Sequence, residues 1–217
     1  MMKKNNNNLN ARRLKTLNLL KQIIIKNGWN DEIFNLVGKK NKFINEIKIL
    51  FPDGYKSLME FYLRHLDNEM IKNTKKIELL RMKTNERIKE ILLIRFRIME
   101  KEKKLIKKTF YTLMMPQNIY FAKKKLFETI DNIWFLAGDT STDFNYYTKR
   151  ALLTGIYIST INYWVNGNQN LSSISNFLDK KLNQVSKIPK IKKKLNIIYE
   201  LSPKFFLLFK NLVKSKQ

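Results

Sequence analysis

The chain has 217 residues, a formal net charge of +25 and a hydrophobic share of 44%, with one His and no Cys. That length suits one domain, or a small N-terminal unit joined to a larger one, and the apolar share can fill a core. The absence of Cys excludes a disulfide framework, thiol catalysis and thiolate-bound zinc, while the Lys surplus points to an anionic partner, either nucleic acid or an acidic membrane surface.

The first residues, MMKKNNNNLNARR, carry no apolar run and do not read as a secretory signal. They are also too short and too Asn-rich for a mitochondrial transit peptide, which favours a bacterial cytoplasmic protein peripheral to the inner membrane. For a eukaryotic source the equivalent place is the matrix face of the mitochondrial inner membrane. Residues 1–10 read as a polar, disordered arm. No stretch reaches the roughly 18 to 20 consecutive apolar residues of a membrane-spanning helix.

From Ala11 to Lys26, Leu14, Leu17, Leu20, Ile23 and Ile24 keep helical spacing, and Asn27-Gly28 stops the helix. Asp31 to Val37 predicts a short helix ended by Gly38. Asn41 to Phe51 predicts a third, and Pro52-Asp53-Gly54 a turn. Tyr55 to about Lys72 is a fourth helix, with Leu58, Phe61, Tyr62, Leu66 and Met70 inward. Over residues 11–72 this is the layout of a TetR-type unit, which contains a helix-turn-helix. Lys39, Lys40, Lys42 and Lys48 fall on or near its recognition helix, where phosphate contacts are expected. The plainer reading is a retained scaffold with a solvated basic face. Base reading needs groove-facing side chains such as Arg or Gln, and the recognition-helix stretch, residues 39–51, has neither.

Residues 73–186 read as a helical ligand-binding and dimerisation region. Asn85 to Phe110 predicts one long charged helix, with Ile88, Ile91, Leu92, Ile94 or Arg95, Met99 and Leu105 on its buried side. The run FYTLMMPQNIYF breaks at Pro116, and Met114 and Met115 before it suit a core or a pocket wall. Then Leu126, Phe127, Ile130, Ile133, Trp134 and Ala137 recur at spacings of three and four. Gly138 follows, where a left-handed C-terminal cap needs a residue without Cβ. Thr140 and Asp143 match a capping box for the next helix, about Ser141 to Val165. That helix is nearly apolar all round from Ala151 onward, so a central place is expected. Ala151, Gly155 and Ser159 form a small-residue face that admits a second helix or a slender ligand. Ile174 to Val185 is a further amphipathic helix.

The run WFLAGDTSTDFNYYTKRALLTGIYISTINYW, from Trp134 to Trp164, resembles the signature region of the ubiquinone (coenzyme Q) biosynthesis accessory protein family, lipid-binding proteins built on a TetR-like helical fold. The resemblance extends over about residues 14–182. One residue departs from the family pattern, Tyr146, where the family usually has Trp. The resemblance implies a non-enzyme that binds isoprenoid quinone intermediates at the membrane and presents them to the di-iron demethoxyubiquinone hydroxylase. Carried over by motif, the docking patch for that hydroxylase includes Asp143, Tyr146 and Tyr147, with Ile133 and Trp134 beside them. For Trp134 and Tyr147 core packing is the alternative.

Residues 187–217 hold nine Lys against one acid, Glu200. Ser202-Pro203 is a helix start. Phe205, Phe206, Leu208, Phe209, Leu212 and Val213 then form a broad apolar face flanked by Lys204, Lys210 and Lys214. Three Phe in five residues with Lys at both ends favour an amphipathic helix in an anionic membrane interface, the alternative being a last helix docked on the core or on a dimer partner.

No catalytic constellation accompanies these features. His65 is the only His, no Glu-x-x-His motif supports a di-iron site, and the Gly residues are scattered. Asp139 and Asp143 are explained by cap and loop roles, so neither metal nor cofactor is expected. The expectation is an all-α, TetR-like homodimer of about nine or ten helices. Phe110, Leu113, Met114, Leu152, Ile156 and Tyr163 are the lipid-pocket candidates, chosen from the apolar sides of helices, and each of them also fits plain core. The competing function is a TetR-type DNA-binding regulator. It explains the N-terminal layout and the charge but not the amphipathic tail, so nucleic acid is not the expected partner.

Overall fold

The computed structural model describes residues 2–37, 41–79, 81–142, 144–167 and 169–186. The elements are α1 (Met2–Asn27), α2 (Glu32–Val37), α3 (Asn41–Leu50), α4 (Gly54–Thr74), α5 (Thr84–Glu100), α6 (Lys103–Met114), a 3-10 turn (Pro116–Asn118), α7 (Ile119–Leu136), α8 (Phe144–Asn166) and α9 (Leu171–Ser186). The fold is all-α, with no strand among the described residues. No helix among them is long and apolar enough to cross a membrane. The tail candidates Phe205, Phe206, Leu208, Phe209, Leu212 and Val213 lie outside the described residues, as do Asp143, Lys39 and Lys40.

The described residues form two compact units, one from 2–70 and 98–125, the other from 71–97 and 126–186. In the first, α1 packs on α2, α3 and α6, and α2 on α3. Leu17, Leu20 and Ile24 of α1 and Leu58, Met59 and Tyr62 of α4 are almost fully buried. The N-terminal unit expected over 11–72 is therefore larger than its pattern indicates, because 98–125 completes it. Polar anchors make the connection. The Trp29 indole N–H donates to Thr109 Oγ1 at 3.0 Å. The Tyr55 hydroxyl donates to Asn118 Oδ1 at 3.3 Å, and Lys125 pairs with Glu60.

Three helix boundaries differ from the sequence expectation, one of them the start of α8, which is Phe144 and not about Ser141. α1 starts at Met2, so helix runs through the stretch expected to be a disordered arm. No Gly or Pro interrupts residues 2–27, and Asn lowers helix propensity without breaking a helix already nucleated downstream. The single long helix expected over 85–110 is two. Glu102 leaves helical geometry at φ −132° and ψ 31°, and its N–H closes a turn onto Met99 O at 3.0 Å. The Glu102 carboxylate accepts from Lys21 Nζ and, at 2.9 Å, from the Tyr62 hydroxyl. Contacts from α1 and α4 hold the break, which no local pattern announces.

In the second unit, α8 packs on α9. Leu153, Ile156, Tyr157, Thr160 and Trp164 form its buried stripe, and Phe96 meets Trp164 edge-on with centroids 5.5 Å apart. Both residues left open on α5 are inside: Ile94 and Arg95 are 4% and 2% exposed. Arg95 Nε donates to the Tyr157 hydroxyl at 2.5 Å. The small-residue face did not become a helix seat among the described residues. Gly155 is exposed, and nothing stands within 4 Å of where its Cβ would be. α8 buries one stripe, and on its other side Gly155 and Asn162 are exposed while Ala151, Ile158 and Ser159 are part-buried.

Gly54 opens α4 at φ +60°, and a Cβ there would fall 2.1 Å from Asp31 Oδ1. That same oxygen caps α4 by accepting from the Tyr55 N–H at 2.7 Å. Gly54→Ala therefore adds left-handed strain and displaces the cap. A loss of about 2 kcal/mol in chemical denaturation is expected.

Candidate functional site

The corner between α7 and α8 begins with the way α7 ends. Gly138 has φ +84°. The Gly138 N–H donates to Phe135 O and the Asp139 N–H to Trp134 O, each at 3.0 Å. This pair of bonds is a Schellman cap, the geometry expected for a Gly in that place. The cap turns the chain and brings the Asp139 side chain back against the first two turns of α8.

Arg150 is the centre of the corner. It is 3% exposed. Its Nε donates to Asp131 Oδ1 at 2.8 Å, and its Nη1 donates to Asp139 Oδ2 at 3.1 Å and to the Tyr146 carbonyl at 3.2 Å. The guanidinium carbon lies 3.3 Å from the centroid of the Tyr146 ring. A buried guanidinium needs this many partners, because its desolvation is repaid only by close, well-aligned acceptors. Lys149 adds a second cation on the outer side, donating to Asp139 Oδ1 at 2.7 Å and to Ser141 Oγ at 2.6 Å. Its ammonium also lies 5.5 Å from the Trp134 ring centroid.

The electrostatics follow from this packing. Burial alone raises the Asp139 pKa, but hydrogen bonds from Lys149, Ser141 and Arg150, with the Lys149 charge, outweigh it and hold the carboxyl below its usual value. The Tyr146 hydroxyl donates to Asp131 Oδ1 at 2.9 Å. Burial first, then that bond and the Asp131 charge, push its pKa up to about 12 against the opposing Arg150. Asp139 is thus held ionised and Tyr146 protonated near neutrality, which leaves neither poised as an acid or base. What the corner presents is a part-exposed aromatic pair, Tyr146 and Tyr147, edge to face at 5.1 Å, fixed from below by ion pairs.

The predicted site residues separate by place. Tyr146 and Tyr147 lie part-exposed on the corner. Ile133 and Trp134, expected beside them on a docking patch, are 0% and 8% exposed. They face inward because they continue the α7 stripe that also buries Ile130 and Ala137, so they support the corner and do not form its surface. Of the pocket candidates, Phe110, Leu113 and Met114 belong to the first unit and Leu152, Ile156 and Tyr163 to the second. Met114 is 55% exposed, and so is no cavity wall there. Tyr163 stacks on Phe177 at 4.5 Å, and Ile156 is buried. Sequence reading passed over Asp131 and gave Asp139 only a loop role. The available signal was Arg150 itself, the cation that directly precedes the nearly apolar run from Ala151.

The fold and this corner define an all-α protein whose α7–α8 junction is an ion-paired aromatic surface. Residues 119–189 match the family model described as COQ9, and this matched stretch includes the whole corner. The ubiquinone biosynthesis protein COQ9, mitochondrial, of Bos taurus is 49% identical over 53 residues, covering 24% of this chain and 17% of that one. Its Rattus norvegicus counterpart is 52% identical over 48 residues, covering 22% and 15%. The probable ubiquinone biosynthesis protein coq9, mitochondrial, of Dictyostelium discoideum is 45% identical over 47 residues, again covering 22% and 15%. The matches therefore span about one sixth of the length of these curated relatives. The resemblance read from the signature region holds over that segment.

Removing one carboxylate from the corner leaves Arg150 and Lys149 short of a partner. Asp139→Asn is expected to lower unfolding free energy by about 3 kcal/mol at neutral pH. A depressed folded-state pKa makes this contribution complete above about pH 4 and lost as pH falls further through the folded value. Denaturation curves of the two proteins should therefore converge at strongly acid pH, and a constant gap down to that range would disprove the assignment.

Proposed function

We propose that this chain acts in ubiquinone biosynthesis as a non-catalytic accessory protein. In this reading it binds isoprenoid quinone intermediates and presents them to the di-iron demethoxyubiquinone hydroxylase. One observation carries the reading: the segment that matches COQ9 is the segment that builds the ion-paired corner with Tyr146 and Tyr147 on its outer side. Aromatic side chains held rigidly at low entropy cost are good interface anchors. The buried guanidinium orients them before any partner arrives, which lowers the cost of association.

The docking patch proposed is accordingly Tyr146 and Tyr147 with Asp143, and not Ile133 or Trp134. For the lipid, Leu152, Ile156 and Tyr163 on α8 remain the candidates within the second unit. An apolar tail can lie along helices of this kind, and the polar quinone head would face the patch. The named relatives are mitochondrial proteins, which favours the matrix face of the mitochondrial inner membrane over a bacterial cytoplasm. The basic tail, whose sequence pattern gives Phe205, Phe206, Leu208, Phe209, Leu212 and Val213 as its apolar face, is the proposed membrane anchor.

Tyr147→Ala should weaken capture of the hydroxylase about tenfold, the size of a modest interface hot spot. Tyr146→Phe, which keeps the ring over Arg150, should leave capture near wild type. Thermal unfolding of both variants separates lost docking from lost fold. Equal capture by wild type and Tyr147→Ala would remove the patch. Mass spectrometry of lipids extracted from the purified chain should find isoprenoid quinones or polyprenyl phenols, and their absence would contradict the carrier role.

A further inference from the structure

Between residues 103 and 125 the chain holds seven Lys and no acid, arranged on both sides of an apolar stretch. The structure turns this stretch into the tip of the α6–α7 hairpin, wholly within the first unit. Pro116 starts the 3-10 turn, and the Asn118 amide donates to Thr112 O at 2.9 Å, which fixes its shape. The side chains that crowd the tip are not inside. Tyr120 is 67% exposed, and Tyr111, Met114, Met115 and Ile119 are exposed as well. Single exposed apolar residues are ordinary on a protein surface, but five within ten positions on one rigid turn are not.

The cations flank this tip in a defined way. Lys104, Lys107, Lys108 and Tyr111 on α6, and Met115 just past its end, recur at spacings of three and four. With Trp29 they line a groove of about 660 Å³. Lys123 and Lys124 are exposed on the other side, one turn into α7. Lys125 is not part of this set, since it is buried against Glu60.

We propose that the α6–α7 tip is a membrane-docking surface for an anionic phospholipid bilayer. Tyr111, Met114, Met115, Ile119 and Tyr120 enter the headgroup layer, and Lys104, Lys107, Lys108, Lys123 and Lys124 meet lipid phosphates around them. Charge complementarity selects this occupant. The stretch has cations on both flanks and no acid, so it matches a plane of anionic headgroups on every side. Tyr suits that depth, with an apolar ring and a polar end. The long Lys stems let the ammonium groups reach the phosphates while their methylenes cover the apolar rim. The inference rests on the first unit alone and is independent of the quinone reading and of the tail helix.

The chain has no Cys, so Tyr120→Cys in the full chain gives a unique thiol for a polarity-sensitive fluorophore. Ser172→Cys, exposed on α9, gives the control label. With mixed phosphatidylcholine and phosphatidylglycerol vesicles, the label at 120 should shift to the blue and be quenched by brominated lipid, while the label at 172 stays aqueous. Phosphatidylcholine alone should produce no shift. Lys104→Gln, Lys107→Gln and Lys108→Gln combined should weaken the vesicle response at position 120 by about tenfold or more. A label at 120 that stays aqueous while the protein sediments with vesicles overturns the proposal. A blue shift that grows with protein concentration without lipid also overturns it, because a second copy would then cover the tip.

Discussion

A buried guanidinium between two carboxylates is the constraint on which the α7–α8 corner depends. Arg150 has almost no contact with solvent, and its charge is expensive to hold there. Asp131 and Asp139 offset that cost at 2.8 and 3.1 Å, and the Tyr146 ring closes the remaining face. The two carboxylates come from α7 and from the turn that ends it, while the cation comes from α8. The pairing therefore sets how the second helix leaves the first. It also fixes Tyr146 twice, through the ring over Arg150 and the hydroxyl on Asp131. Lys149 contributes less, being part-exposed and screened, but it saturates Asp139 and shields the indole of Trp134.

The first unit uses the same chemistry for a different end. Glu102 accepts from Lys21 and Tyr62 and thereby divides what would be one helix into α5 and α6. That division frees α6 to run out to the lysine-flanked tip. Three acids of this unit pair with Lys21, Lys125 and Arg12, while residues 103–125 carry no acid, so the excess positive charge is left outward on α6 and the start of α7. A high net charge thus becomes a local surface feature, where the charge alone specified only an anionic partner.

What the sequence made legible was what local patterns encode. Helix positions after residue 30 follow from apolar spacing and from Gly and Pro punctuation, and Gly138 read correctly as a left-handed cap because only Gly takes that backbone cheaply. The break at residues 101–102 was hidden, since Glu102 leaves the helix for partners on α1 and α4. Ile133 and Trp134 were placed on a surface by motif position, while helical spacing with Ile130 and Ala137 had already put them inside. Asp131 pairs with a residue 19 positions later on another helix, a contact that no spacing rule reveals. Exposure at Met114 and Tyr120 was equally hidden, because a Met- and aromatic-rich run reads as core until the turn at Pro116 is seen to carry it outward.

The most direct test of this account is a double-mutant cycle on Asp139 and Arg150, using Asp139→Asn, Arg150→Gln and the pair, read by chemical denaturation of the full chain. If the ion pair organises the corner, the two substitutions will be strongly non-additive, with a coupling of about 2 kcal/mol. Additivity to within about 0.5 kcal/mol would contradict it, because distant or independent residues behave that way.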